Sequence, residues 1–312
     1  MLKFFKTNSK EQTLEEIQEI CPDCWIDLSE PSQAEIDHVV NATHVDRNLI
    51  DKMLDSDELP RIESDKDANL VVIDTPIFIN QEDKYVTYPL GIIITNNNYV
   101  ITVAPKNTPV LNQFRQGEVK DFRTSKKSRF LIQILNATAA AFLKALNEIY
   151  RDIDVKEGIL KKSTKNEDLI DLLSTEKTLV YFNASLTEND KVLERLNNGS
   201  GVQLYEGDDD LIKDAIIENR QAIDMATLYR KILSSITDTY ANVISNNLNY
   251  TMRFLAGVTI ALSIPTIISS FFGMNVWFGS IGTDHASGWV LAGISILLTL
   301  AVAALLKKKG ML

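Results

Sequence analysis

Cysteine is almost absent from this 312-residue sequence: there are two, Cys21 and Cys24, in the run Cys-Pro-Asp-Cys. The spacing is that of a redox pair or of half a zinc site. Without a second cysteine pair or a histidine cluster a zinc shell cannot be completed. The pair precedes a strand-like stretch instead of the helix that activates a thioredoxin-type thiol, so it reads as structural and, in a cytosol, reduced. Positive charge is also in short supply, with 32 Lys and Arg against 42 Asp and Glu and a formal net charge of -10. That balance argues against a nucleic-acid partner and suits a protein that handles cations. No phosphate-binding loop, His-Cys or His-Ser arrangement or catalytic carboxylate pair is visible, so the sequence does not read as an enzyme. Met1 to Lys10 is basic and polar and lacks the apolar core of a leader peptide.

Glycine and proline are missing over one long stretch, Asp208 to Ala256, where nothing breaks a helix. Continued to Asn275, this reads as one very long helix of roughly 100 Å to Phe272, much of it in water. Its far part, Phe254 to Phe272, runs for about 19 residues without a charge, enough to cross a hydrocarbon core of roughly 30 Å. A second apolar run of about 18 residues, Trp289 to Leu306, closes on Lys307, Lys308 and Lys309. Arg253 before the first span and the lysines after the second place both termini in the cytoplasm by the positive-inside rule, in the plasma membrane. The loop 276–288 then faces outward and carries Asp284, which reads either as an electrostatic attractor of cations or as a solvated loop residue.

The first span has a polar stripe. Thr259, Ser263, Thr266 and Ser270 are four, three and four residues apart and share one face, which continues backwards through Ala256, Met252 and Asn249. Single hydroxyls in membrane helices bond back to the preceding turn or pack against neighbours. Four on one stripe ending at an asparagine favour a water-filled axis shared by several copies of the chain. Pro265 removes one backbone hydrogen bond inside this span.

Gly273-Met274-Asn275 stands at the outer end of the first of two C-terminal spans, behind a long charged helix and ahead of a span with a lysine tail. This layout resembles the CorA-type magnesium channels, most closely from Asp238 onward. Trp25-Ile26-Asp27-Leu28, a polar turn with Pro31 and an acidic helix are similar to the family's N-terminal domain. The resemblance implies a homopentamer with a funnel-shaped cytoplasmic domain that passes Mg2+, with Co2+ or Ni2+ as further cargo. It implies a selectivity filter at Gly273, Met274 and Asn275, and pore-facing roles for Asn249, Thr266 and Ser270. Met252 and Leu255 match the apolar collar of the closed pore. Magnesium demands octahedral coordination and dehydrates reluctantly, so a ring of Asn275 amides reading the ion's own waters is the expected chemistry. Gly273 is expected to let the backbone turn sharply. The residue before the motif is Phe272 where many relatives have tyrosine, and the outer loop lacks the Met-Pro-Glu-like segment that often follows.

Asp208, Asp209, Asp210, Asp214 and Glu218 lie on the first turns of the stalk, where carboxylates complement the helix dipole. Asp214 matches the family position for a regulatory divalent site between subunits, with Glu218 and Asp238 on the same helix and Glu82 or Asp83 as partners from the α/β body. Mg2+ is thus expected both as cargo and as regulatory ligand. A zinc or proton-coupled transporter of the same superfamily, or a membrane-anchored helical scaffold without a pore, are the alternatives.

The expected organisation is an α/β cytoplasmic domain over 1–124, paired long antiparallel helices over 125–207 and the cytoplasmic stalk over 208–253. The first span with its motif occupies 254–275, the outer loop 276–288 and the second span with its basic tail 289–312. Within the α/β part, Arg61 to Ser64, Asn69 to Phe78, Leu90 to Thr95 and Tyr99 to Ala104 read as a largely meandering sheet. Asp46 reads as a helix N-cap.

Overall fold

The computed structural model describes residues 1–8, 13–65, 68–80, 84–160, 166–199, 202, 204–205, 207–274 and 285–311. The chain divides into two compact units, Met1–Ile236 and Thr237–Leu312.

The first unit is built on a seven-stranded sheet of order β2-β1-β3-β7-β6-β5-β4. The strands are β1 (Leu2–Thr7), β2 (Leu14–Ile17), β3 (Trp25–Ser29), β4 (Arg61–Ser64), β5 (Ala68–Ile79), β6 (Lys84–Thr95) and β7 (Val100–Ala104). β4 to β7 form the expected meander. β3 departs from it by pairing parallel with β7, and β1 and β2, absent from the sequence reading, extend the sheet beyond β3. β5 and β6 are longer than their apolar cores, because the hairpin continues from Ile73↔Leu90 out to Ile79↔Lys84.

Period-two alternation gives the sheet two apolar faces. Trp25, Val71, Ile73, Leu90, Ile92 and Val100 face one core, and Ile26, Leu28, Leu70, Val72, Ile93 and Ile101 face the other. The second core is covered by α1 (Gln33–Thr43) and α2 (Arg47–Lys52) through Ile36, Val39, Ile50 and Met53. Ser32 and Glu35 form a capping box at the start of α1, and Asp46 caps α2 by accepting from Asn48 N, as expected. The first core is covered by α3 (Pro109–Arg115), α4 (Lys127–Leu160), α5 (Asn166–Asn197) and the start of α6 (Asp208–Phe272). α5 runs antiparallel to α6: Asn183 Nδ2 donates to Thr227 Oγ1 at 2.8 Å, and Asn219 Nδ2 to Leu186 O at 3.0 Å.

Prolines and buried polar groups sit where the ladder allows them. Pro76 and Pro89 lie beyond the reach of β4 and β7, so their missing N–H groups deprive no partner strand. On the edge of β5 that β4 leaves open, Asn189 of α5 takes the place of a strand: its Oδ1 accepts from Asp74 N and its Nδ2 donates to Asp74 O, both at 2.9 Å. On β3, Asp27 is fully buried yet satisfied. Arg115 Nε donates to its Oδ2 at 2.6 Å, and Ser29 Oγ and Thr102 Oγ1 donate to its Oδ1 at 3.0 and 3.3 Å.

The second unit contains the remainder of α6 and α7 (His285–Lys308). α6 ends at Phe272, three residues short of the expected Asn275, and passes through Pro265 as one helix.

Removing one partner of a buried ion pair leaves an uncompensated charge, at a cost of about 3–5 kcal/mol. Arg115→Met is therefore expected to lower the thermal midpoint of the first unit, followed by tryptophan fluorescence; an unchanged midpoint would count against the Asp27 network as a keystone of the sheet. A pH effect follows from Asp74, whose carboxyl burial beneath α5 pushes up to about 6, against the hydrogen bond to Ser185 and with Glu188 adding repulsion. Between about pH 4 and 6 the folded protein holds a proton that the unfolded chain has released, so stability falls as pH rises through that window. Asp74→Asn is expected to remove this component and to melt higher than the parent at pH 7, as read from paired melting curves.

Candidate functional site

Among the described residues three helices are long and apolar enough to cross a membrane: α4, α6 and 288–308 of α7. In α4 the most apolar window is 56 % buried, because it fills the core beneath the sheet, whereas in α6 and α7 only 6 % is buried. Phe254, Leu255, Leu262, Ile267 and Phe271 on α6 and Trp289, Val290, Ile296 and Leu297 on α7 are exposed. A contiguous apolar surface of this extent is not tolerated by a soluble monomer.

Within that surface the hydroxyl stripe runs along an unbroken helix. Asn249, Met252, Leu255, Ala256, Thr259, Thr266 and Ser270 are exposed, and Ser263 is half-buried. Each of three hydroxyls turns its proton into the helix: Thr259 Oγ1 donates to Leu255 O at 2.8 Å, Ser263 Oγ to Ile260 O at 2.8 Å and Thr266 Oγ1 to Leu262 O at 3.0 Å. The back-bonding and the polar face thus coexist, since a hydroxyl that has given its proton still presents lone pairs outward.

Gly273 closes the helix, donating to Ser269 O at 2.9 Å. The chain leaves the helix in a turn at Gly273, which is not among the left-handed glycines. Its need is for space, because a Cβ at this position would lie 3.1 Å from Ser269 O. Met274 follows in a bend, 56 % exposed. Asn275, Asp284, Glu82 and Asp83 lie outside the described residues.

α6 and α7 meet around a cleft of about 320 Å³ between Ile268, Ser269 and Phe272 on one side and Gly288, Leu291, Ala292, Ser295 and Ile296 on the other. Gly288, Ala292 and Ser295 are the small residues on the α7 side, and of the three only Ser295 is buried. They escaped the sequence reading, although their spacing of four and three was the available signal.

In the first unit the acidic start of α6 separates into two parts. Asp208 is fully buried and structural: Arg129 Nε donates to its Oδ1 at 3.0 Å, Ser128 Oγ to its Oδ2 at 3.0 Å and Tyr205 N to its Oδ2 at 3.3 Å. Asp209 and Asp210 are exposed. One turn further on, Asp214 is exposed and Glu218 half-buried, as i and i+4 on one face. Glu218 Oε2 is buried without a hydrogen-bond partner. Burial, and then the neighbouring charge of Asp214, hold the Glu218 carboxyl above the usual range. An orphaned acceptor beside a second carboxylate is chemically suited to a hard cation. Among the described residues no three His, Cys, Asp or Glu gather to hold a metal ion, so none of them adds a third ligand to the pair. Asp238 is exposed and belongs to the second unit.

A family model described as "CorA-like Mg2+ transporter protein" matches residues 23–308. The chain is 24 % identical over 295 residues to the cobalt/magnesium transport protein CorA of Methanocaldococcus jannaschii, covering 92 % of this chain and 90 % of that one. It is 21 % identical over 239 residues to the protein of the same name from Thermotoga maritima, covering 72 % and 68 %. Its fold matches the complete structure of the M. jannaschii CorA magnesium transporter with a TM-score of 0.87 and 22 % identity, over 100 % of this chain and 99 % of that one.

Proposed function

The chain belongs to the CorA-like Mg2+ transporter family, hence to membrane transport proteins and not to enzymes, and from that premise we propose that it is a homo-oligomeric channel for hydrated divalent cations. Mg2+ is the main cargo and Co2+ an accompanying one, a reading supported by the names of the two CorA relatives. Nickel belongs to the same expected range. α6 and α7 span the plasma membrane with both termini in the cytoplasm, and copies of α6 surround the pathway, in a pentamer by family resemblance.

The observation that carries this reading is the stripe of Thr259, Ser263, Thr266 and Ser270 on a stretch of α6, Phe254 to Phe272, that is otherwise apolar and largely exposed. A hydrated Mg2+ presents water hydrogens outward, and oxygens whose own protons are engaged at Leu255, Ile260 and Leu262 are complementary to them. The ion passes without losing its waters, which avoids the dehydration cost. Met252 and Leu255, both 57 % exposed, form the apolar constriction, with Asn249 at its inner mouth and Ala256 beside it. Gly273, Met274 and Asn275 form the filter, where an amide per subunit reads the hydrated ion, and Asp284 raises the local cation concentration outside. Tyr181, Ile217 and Leu228 on α5 and α6 are exposed apolar residues that neighbouring copies would cover.

Regulation is assigned to Asp214 and Glu218, which would hold cytoplasmic Mg2+ together with a carboxylate from the neighbouring subunit. Glu82 or Asp83 is the proposed source, with Asp238 as a further site on the stalk. Bound Mg2+ supplies charge neutralisation, and without it the carboxylates repel and favour opening. The fit rests on the orphaned Glu218 oxygen and its charged neighbour.

Two measurements test the proposal. Magnesium influx into proteoliposomes, read by an internal dye under a potential negative inside, is expected for the parent protein and lost in Asn275→Ala with the oligomer intact. Equal flux in both would remove Asn275 from the filter. Asp214→Ala is expected to weaken inhibition by internal Mg2+ without abolishing conduction; inhibition indistinguishable from the parent would remove the regulatory role.

A further inference from the structure

Cys21 and Cys24 lie in the loop between β2 and β3, remote in chain from the proposed pathway. Cys24 N donates to Cys21 O at 3.2 Å, closing a four-residue turn. Pro22 is its second residue and Asp23, with φ +63°, its third, the pattern of a type II turn. Asp23 accepts the left-handed conformation usually left to glycine and is tied down by its N–H to Asn98 O at 2.9 Å. Such a turn brings its end Cα atoms within about 7 Å, close to the roughly 4.4–6.8 Å that a disulfide requires.

The two thiols interact and differ in setting. Cys24 hydrogen-bonds Cys21, is fully buried in the core of Phe4 and Ile26, and has its thiol pushed up to about 11 by that burial. Cys21 is only half-buried. Lys6 Nζ donates to Cys21 Sγ at 3.5 Å and to Pro22 O at 3.1 Å, so the cation's direct contact is with the accessible sulfur, while its charge also reaches the Cys24 thiol. An accessible sulfur next to an ammonium, with a buried thiol one turn away, is the division of labour between an attacking and a resolving cysteine.

We propose that Cys21 and Cys24 form a thiol–disulfide exchange site whose co-substrate is a low-molecular-weight disulfide. The Cys21 thiolate attacks one sulfur of that disulfide, whose S–S bond breaks, and the departing thiolate takes up the proton that Cys21 released. Cys24 then gives up its proton and attacks Cys21 Sγ, expelling the second half of the co-substrate as a thiol. Two protein thiols have lost two electrons and two protons, and the small disulfide has become two thiols. The reverse sequence restores the dithiol.

The test uses the full-length protein in detergent, equilibrated with glutathione and glutathione disulfide at graded ratios, quenched with acid, capped with maleimide and weighed intact. The parent protein is expected to pass in one step from two maleimide labels to none, retaining no glutathione. Cys24→Ser is expected to keep one glutathione on Cys21, whereas Cys21→Ser reacts at least about tenfold more slowly, because little of the buried thiol is ionised at neutral pH. Lys6→Met is expected to slow the first step while leaving the end state reachable. Two labels on the parent protein in a large excess of glutathione disulfide would overturn the proposal without reference to any variant. Equal reactivity of the two serine variants would overturn the assigned order of attack.

Discussion

α6 carries two surfaces of opposite character along one helical ladder, and most of what surrounds it answers to that. Its first turns are fixed by a buried carboxylate, Asp208, which Arg129, Ser128 and the backbone of Tyr205 satisfy completely. Its last turns have no core of their own to enter, and their side chains stand exposed. A helix of this kind does not nucleate from its apolar end in water. It depends on the sheet-based unit to hold one end and on a different solvent to receive the other.

The sheet unit meets its side of this arrangement with polar groups placed where the hydrogen-bond ladder has gaps. Asn189 fills the edge of β5 that β4 does not reach, and Arg115 compensates Asp27 in the middle of the sheet. Both join a helix to a strand, so the helices are held by directional bonds as well as by apolar contact. Specific placement of that kind narrows the number of ways a helix can lie on a sheet, beyond what burial alone would enforce.

How much of this was legible in the sequence depended on range. The period of the hydroxyl stripe, the unbroken helix from Asp208 and the Asp46 cap are local signals, and each stands where it was read. β1 and β2 went unread because Leu2–Thr7 is short and lysine-bearing and is held as a strand by its pairing with β3 and β2. The parallel register of β3 on β7 joins residues some 75 positions apart, as the bond from Trp25 Nε1 to Thr102 Oγ1 illustrates, and no local pattern encodes it. α3 did carry a local signal, Thr108 followed by Pro109 at the first helical position, that was passed over. At the site, the family resemblance pointed to Asp214, with Glu218 as a companion acid on the same helix. Only packing shows that one is solvated and that the other has an oxygen with no partner.

The hydroxyls of α6 have a consequence for protons as well as for metal ions. Because Thr259, Ser263 and Thr266 have each committed their hydrogen to a backbone carbonyl, they meet water only as acceptors. A relay of proton hops needs groups that receive a hydrogen on one side and release another on the opposite side. Toward these three oxygens a water molecule can only donate, since none of them has a hydrogen to return. In the channel proposed above, the back-bonding that suits these three hydroxyls to a hydrated cation also withholds them from any relay of protons.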